Sequence, residues 1–258
     1  MFAQTISLFR YLMLGIMSRR LFLLLALLLL AALGGGFVGE LAMINSGAIV
    51  SAFVADFLRY SLALLALLII ATGVAEDYGS RQFERLLTMP LARWQYIFAQ
   101  ALVIACLCLL LALPAAILIT LFSDLGLGLY WAAALWLELF LLGVLGLLAI
   151  LSLEKIPQAV FFALAVYLLA KLSGLIGLML DESVRLAEGG LASRVVEYLF
   201  DALLYVVPGR HAFAQNNVFF ESIDLLGVLG SQLLSVAIYA PFLLTVCLID
   251  FYRKEFNI

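Results

Sequence analysis

A chain of 258 residues that is 67% hydrophobic and only 12% charged, with a mean hydropathy of +1.21, is not a soluble domain, because those are about half apolar and about a quarter charged. The composition reads as an integral membrane protein, in which the sidedness of Lys and Arg matters more than the formal net charge of −3. No basic patch with interleaved aromatics supports a nucleic-acid partner.

Residues 2–18 place Phe2, Ile6, Phe9, Met13 and Ile16 on one helical face, with Gln4, Ser7, Arg10 and Ser18 mostly opposite. The pattern predicts an interfacial helix lying on the lipid surface, the alternative being an extension of the span that follows. Arg19-Arg20 and the apolar run Leu21 to Val38 resemble a signal peptide in outline, but the run is long enough to span and more apolar sequence follows. It is read as an uncleaved first span.

A hydrocarbon core takes roughly 20 helical residues to cross. Six segments qualify, at about 21–39, 54–75, 94–122, 129–153, 157–180 and 229–250. Between the first two lies a polar stretch beginning at Glu40. The second and third are separated by the charged island 76–93, with Glu76, Asp77, Arg81, Glu84, Arg85 and Arg93. Within it Ser80 is a candidate N-cap, Phe83, Leu86 and Leu87 share a face, and Pro90 ends the helix. A short SDLGLG turn makes the third and fourth spans a hairpin, and EKIP parts the fourth from the fifth, with Pro157 in the first turn of a new helix.

The segment 181–227 precedes the last span. Residues 183–207 carry Val195, Val196, Leu199, Leu203 and Val206 at helical spacing, broken by Arg194, Glu197 and Asp201. Three such charges inside a span would cost several kcal/mol, so this reads as a partial helix on the outward side, ending at Pro208-Gly209. Arg10, Arg19, Arg20, Arg81, Arg85, Arg93, Lys155, Arg253 and Lys254 fall on one side of this layout. Arg185, Arg194 and Arg210 fall on the other, with Arg59 near the mouth of the second span. The positive-inside rule then places both termini and the island in the cytoplasm.

Within the spans, Glu138 and Lys171 are the ionisable residues to explain. Trp131 is read as an outer-interface anchor above Glu138, and Lys171 lies at a matching depth on the adjacent antiparallel span. An ion pair between them is geometrically feasible. It is either a polar lining or switch on a substrate path, or a structural pair fixing helix register. Cys106, Cys108 and Cys247 all fall in apolar runs and read as packing residues rather than a disulfide framework.

Enzymatic chemistry lacks its motifs. His211, the single histidine, has neither a metal-ligand nor a triad partner in the sequence, so it reads as a polar loop residue and no metal site is expected. There is no P-loop, no H-E-x-x-H and no G-x-S-x-G with a usable base. The chain is therefore expected to hydrolyse no ATP itself and to need either an ion gradient or an external motor. A gradient-driven transporter would usually show two related halves with broken helices, and no convincing repeat is present.

The island and what surrounds it resemble the permease subunits of ABC-2 type ATP-binding-cassette transporters. The resemblance lies in Glu76-Asp77 after the second span, the pattern E-x-L-L-x-x-P-x-x-R formed by Glu84, Leu86, Leu87, Pro90 and Arg93, and the six-span layout. Tyr205-Val206-Val207-Pro208 matches an aromatic-apolar-proline element of the outward segment. In motif it covers about twenty residues. Many members have Gly-Thr where this chain has Arg81-Gln82, and often Gly-Lys in place of Ala99-Gln100.

The resemblance implies a permease homodimer or heterodimer in a bacterial inner membrane, bound to a cytoplasmic ATPase dimer that holds the ATP and Mg. It implies a coupling helix at residues 80–89, with Phe83, Leu86 and Leu87 as anchors and Arg81, Glu84 and Arg85 orienting them. It further implies outward export or flipping of a substrate. Two alternatives stand beside it: a mechanochemical subunit driving a periplasmic partner through residues 181–227 without solute flux, and a gradient-driven secondary transporter.

Overall fold

The computed structural model describes residues 8–13, 19–42, 47–79, 93–186 and 225–253, with side chains described for 8–13, 22–41, 47–76, 94–172 and 225–253. The described chain is helical apart from two short turns. Six long helices follow in order: α1 (Arg19–Ala42), α2 (Gly47–Gly79), α3 (Arg93–Phe122), α4 (Leu125–Leu153), α5 (Ile156–Leu186) and α6 (Leu225–Arg253). Among the described residues, α1, α2, α3, α4 and α6 are long and apolar enough to cross a membrane, and the described part of α5 is the apolar stretch Ile156–Leu172. The protein is thus a helical multi-pass membrane protein by architecture.

Several helix ends differ from expectation. The polar stretch from Glu40 to Ser51 reads as a break between the first two spans, but α1 runs to Ala42 and α2 already begins at Gly47. The apolar residues Ala48 to Val54 extend the helix because a desolvated backbone satisfies itself best as helix. At its far end α2 continues through Glu76 and Asp77 to Gly79, so those two acidic residues end a helix rather than open a loop. The SDLGLG turn shrinks to Ser123-Asp124, with Asp124 extended at φ −68 and ψ 149 and its carbonyl accepting from Gly128 N at 2.9 Å. The turn between α4 and α5 is Glu154-Lys155. Glu154 takes a left-handed conformation, φ 60, and its N–H donates to Ile150 O at 3.1 Å.

Residues 8–13 form part of the expected N-terminal helix. The buried side chains there are Leu8 and Leu12, with Phe9 and Met13 half-buried and Arg10 and Tyr11 exposed. Its packed face is therefore rotated from the one centred on Phe9 and Met13, because Leu8 and Leu12 reach the bundle core.

Helix directions follow from which residues meet. Arg59 meets Glu138, and Leu67 lies over Gly146, so α2 and α4 run parallel with one register. Ser152 Oγ donates to Asp250 Oδ2 at 3.0 Å, bringing the C-terminal ends of α4 and α6 together. Tyr96 at the start of α3 stacks on Phe251 at the end of α6, with ring centroids 5.6 Å apart. One end of the bundle thus gathers Gly79, Arg93, the Glu154-Lys155 turn and Arg253, and the other gathers Gly47 and the Ser123-Asp124 turn.

At the centre lies α4, flanked by α2, α3, α5 and α6. Its glycines set the approach. A Cβ on Gly143 would come within 2.5 Å of Ile104 Cγ2 and 2.9 Å of Ile70 Cδ1, and one on Gly146 within 2.8 Å of Leu67 Cδ2. Such small-residue contacts let helix backbones close up where lipid supplies no hydrophobic drive. Trp136 Nε1 also donates to Ala105 O at 3.0 Å, pinning α4 to α3.

Candidate functional site

Three helices converge on one buried carboxylate. Glu138 of α4 is fully buried, and its Oε1 accepts from Lys171 Nζ at 2.9 Å and from Tyr167 OH at 2.6 Å. Tyr167 and Lys171 lie four residues apart on α5, so both point the same way from consecutive turns. Arg59 of α2 approaches the other oxygen, Oε2, with Nε at 3.4 Å. Its guanidinium carbon also lies 5.8 Å from the centre of the Trp131 ring. Lys171 Nζ lies 5.7 Å from the Tyr167 ring and 6.0 Å from the Tyr60 ring. Aromatic faces thus flank both cations, an arrangement worth more once desolvated.

Glu138 and Lys171 were singled out in the sequence and the structure brings them together. Arg59 was not: expected near a span mouth, it is 1% exposed and lies twelve residues inside α2. The correction follows from α2 starting at Gly47, one turn and more before the expected boundary. Trp131, expected as an interface anchor, is instead 2% exposed, packed under the arginine it helps to bury. The signal for Arg59 was present as an arginine flanked by Leu58 and Tyr60 with apolar residues on either side. What hid it was the missing register against α4.

The bundle holds more polar groups. Gln232 of α6 is buried as well. Among the described residues, Trp131 Nε1, Tyr130 OH and Gln232 Oε1 have no hydrogen-bond partner. Asp56, exposed, sits one turn before Arg59 and Tyr60 on α2. Two cations and one carboxylate, ringed by aromatics, form the buried charged layer of the described bundle.

The residues of the charged island mostly lie elsewhere. Glu76 is exposed near the end of α2, Asp77 belongs to that helix, and Arg93 opens α3. Ser80, Arg81, Phe83, Glu84, Arg85, Leu86, Leu87 and Pro90, with the expected coupling helix 80–89, lie outside the described residues. So do His211, the Tyr205–Pro208 element and the segment 187–224. Cys106, Cys108 and Cys247 are free thiols, the last two buried. A separate open cleft of about 500 Å³ between α1 and α2 is lined by Gly34, Gly35, Val38, Gly39, Ile49, Val50 and Phe53. None of those lining side chains is titratable. The chain matches no protein-family model and no curated relative.

Proposed function

We propose that this chain is the six-span membrane subunit of an ABC-2-type transporter in a bacterial inner membrane. It works as a dimer on two separate cytoplasmic ATPase subunits to export or flip a substrate. The observation that carries the reading is the pattern Glu84-x-Leu86-Leu87-x-x-Pro90-x-x-Arg93 after a second span, in a chain that has no ATP-binding motif. A water-facing helix of this kind, seated in a groove of the ATPase with Phe83, Leu86 and Leu87 as anchors, converts nucleotide-driven movement into movement of α2 and α3.

The geometry of α2 supports this reading. It is one helix of 33 residues, joined at Gly79 to the charged island and carrying Arg59 in the ionic layer. At 1.5 Å per residue those two points are about 30 Å apart, so α2 is a rod between a cytoplasmic input and a buried polar contact. The end that gathers Arg93, Lys155 and Arg253 is the basic one, which favours placing it, with both termini, in the cytoplasm. The other buried polar side chains among the described residues, Ser51, Gln95, Gln100 and Gln232, are uncharged, which favours an amphiphilic substrate or force transmission over a highly charged solute.

The buried ionisable cluster also favours a second reading, a gradient-driven transporter, because intramembrane Glu and Lys are typical of ion and proton relays. Vesicles carrying the chain separate the two. Flux or partner remodelling that needs ATP and the ATPase supports the first, and flux driven by an ion gradient alone supports the second. ATP-dependent remodelling of a periplasmic partner without flux identifies the mechanochemical variant. An ATPase reading frame adjacent to this one is the simplest supporting observation.

A further inference from the structure

We infer that the ionic layer is a latch with a fixed half and a moving half: Glu138, Tyr167 and Lys171 hold α4 to α5, and Arg59 is the contact that opens when α2 shifts. The two halves use different oxygens. Oε1 takes two short bonds, 2.6 Å from Tyr167 and 2.9 Å from Lys171, both from α5. Helices α4 and α5 are also joined by the two-residue turn Glu154-Lys155, closed by the Glu154 and Ala159 backbone bonds. They therefore move as one body.

Arg59 Nε lies 3.4 Å from Oε2, longer than the roughly 2.7–2.9 Å of a strong charge-assisted bond. Below that contact α2 meets α4 at Gly143 and Gly146, where Ile70 and Leu67 lie against glycine. Opening would also bring water to Trp131 Nε1, over whose ring Arg59 lies, and to the adjacent Tyr130 OH, neither of which has a hydrogen-bond partner among the described residues. Unmet polar groups raise the cost of the closed state and lower the relative cost of the open one, which is the condition for a two-state element.

The latch is a property of the bundle; only its trigger, a push on residues 76–93, rests on the transporter reading. The test uses the full chain in lipid nanodiscs with Ala134→Cys as reporter, since Ala134 is buried between Trp131 and Glu138. A water-soluble maleimide measures its exposure, with the native cysteines read as background in the chain lacking the reporter. Arg59→Met is expected to speed labelling at least about fivefold, within the usual range of a coupling between sites. Tyr167→Phe and Lys171→Met are expected to lower the melting temperature and leave the labelling rate at the parental value.

If Arg59→Met fails to fold, Arg59→Lys, too short to hold Oε2 while keeping the charge, is expected to speed labelling in its place. Labelling unchanged by either Arg59 variant, or sped equally by all the variants, overturns the latch. Partner ATPase with ATP added to the parental chain is then expected to reproduce the faster labelling. If ATP has no effect while the Arg59 variant still does, the transporter reading fails and the latch stands.

Discussion

At the scale of single residues, Glu138 is the member of the cluster that the fold can least do without. Removing either cation leaves a neutral pair, whereas removing the carboxylate leaves Arg59 and Lys171 buried together without their shared counter-ion. Glu138→Gln is therefore expected to cost about 3–5 kcal/mol, as for other broken buried pairs, and Arg59→Met or Lys171→Met clearly less. Thermal unfolding of the detergent-solubilised variants gives the ranking. Tyr167→Phe removes one hydrogen bond to a charged group and is expected to cost about 1.5–3 kcal/mol in the same assay.

Half of this cluster was legible in the sequence. Glu138 and Lys171 stand out because each is surrounded by a full span of apolar residues, and the short turn at Glu154-Lys155 fixes their common depth. Arg59 and Tyr167 were not legible. An arginine five residues into an assumed span looks like a snorkelling end residue, and a tyrosine in an apolar run looks like packing. Only the register of α2 on α4, set by Gly143 and Gly146, shows what they touch.

At the scale of helices, the glycines of α4 determine how closely α2 and α3 can pack. Gly143→Ala is expected to destabilise by about 1–3 kcal/mol through overpacking, because its methyl would meet Ile104 Cγ2 and Ile70 Cδ1 together. Gly146→Ala meets only Leu67 Cδ2, a side-chain tip able to turn aside, and is expected to cost less. Melting temperatures of the two variants check the order. Five of the six expected spans coincide with helices long and apolar enough to cross a membrane, and α3 matches expectation closely. Helix ends were less readable, because residues such as Gly126 and Gly128 carry a turn signature yet become helical once the membrane removes water from the backbone.

At the scale of the whole molecule, α2 is one helix from Gly47 to Gly79 that carries Arg59 in the buried ionic layer and ends within the charged island 76–93, which makes it the link on which the proposed coupling depends. Within the island, Phe83, Leu86 and Leu87 are the residues on which the proposed partner depends. The most direct measurement is ATP hydrolysis by the affinity-purified chain after co-expression with its candidate ATPase, for the parent, Phe83→Asp and Leu86→Asp. The parent is expected to bring down the ATPase and its activity, and both variants to lose both while eluting as folded membrane protein. Retention of ATPase and activity by both variants, or their absence from the parent, would contradict the account.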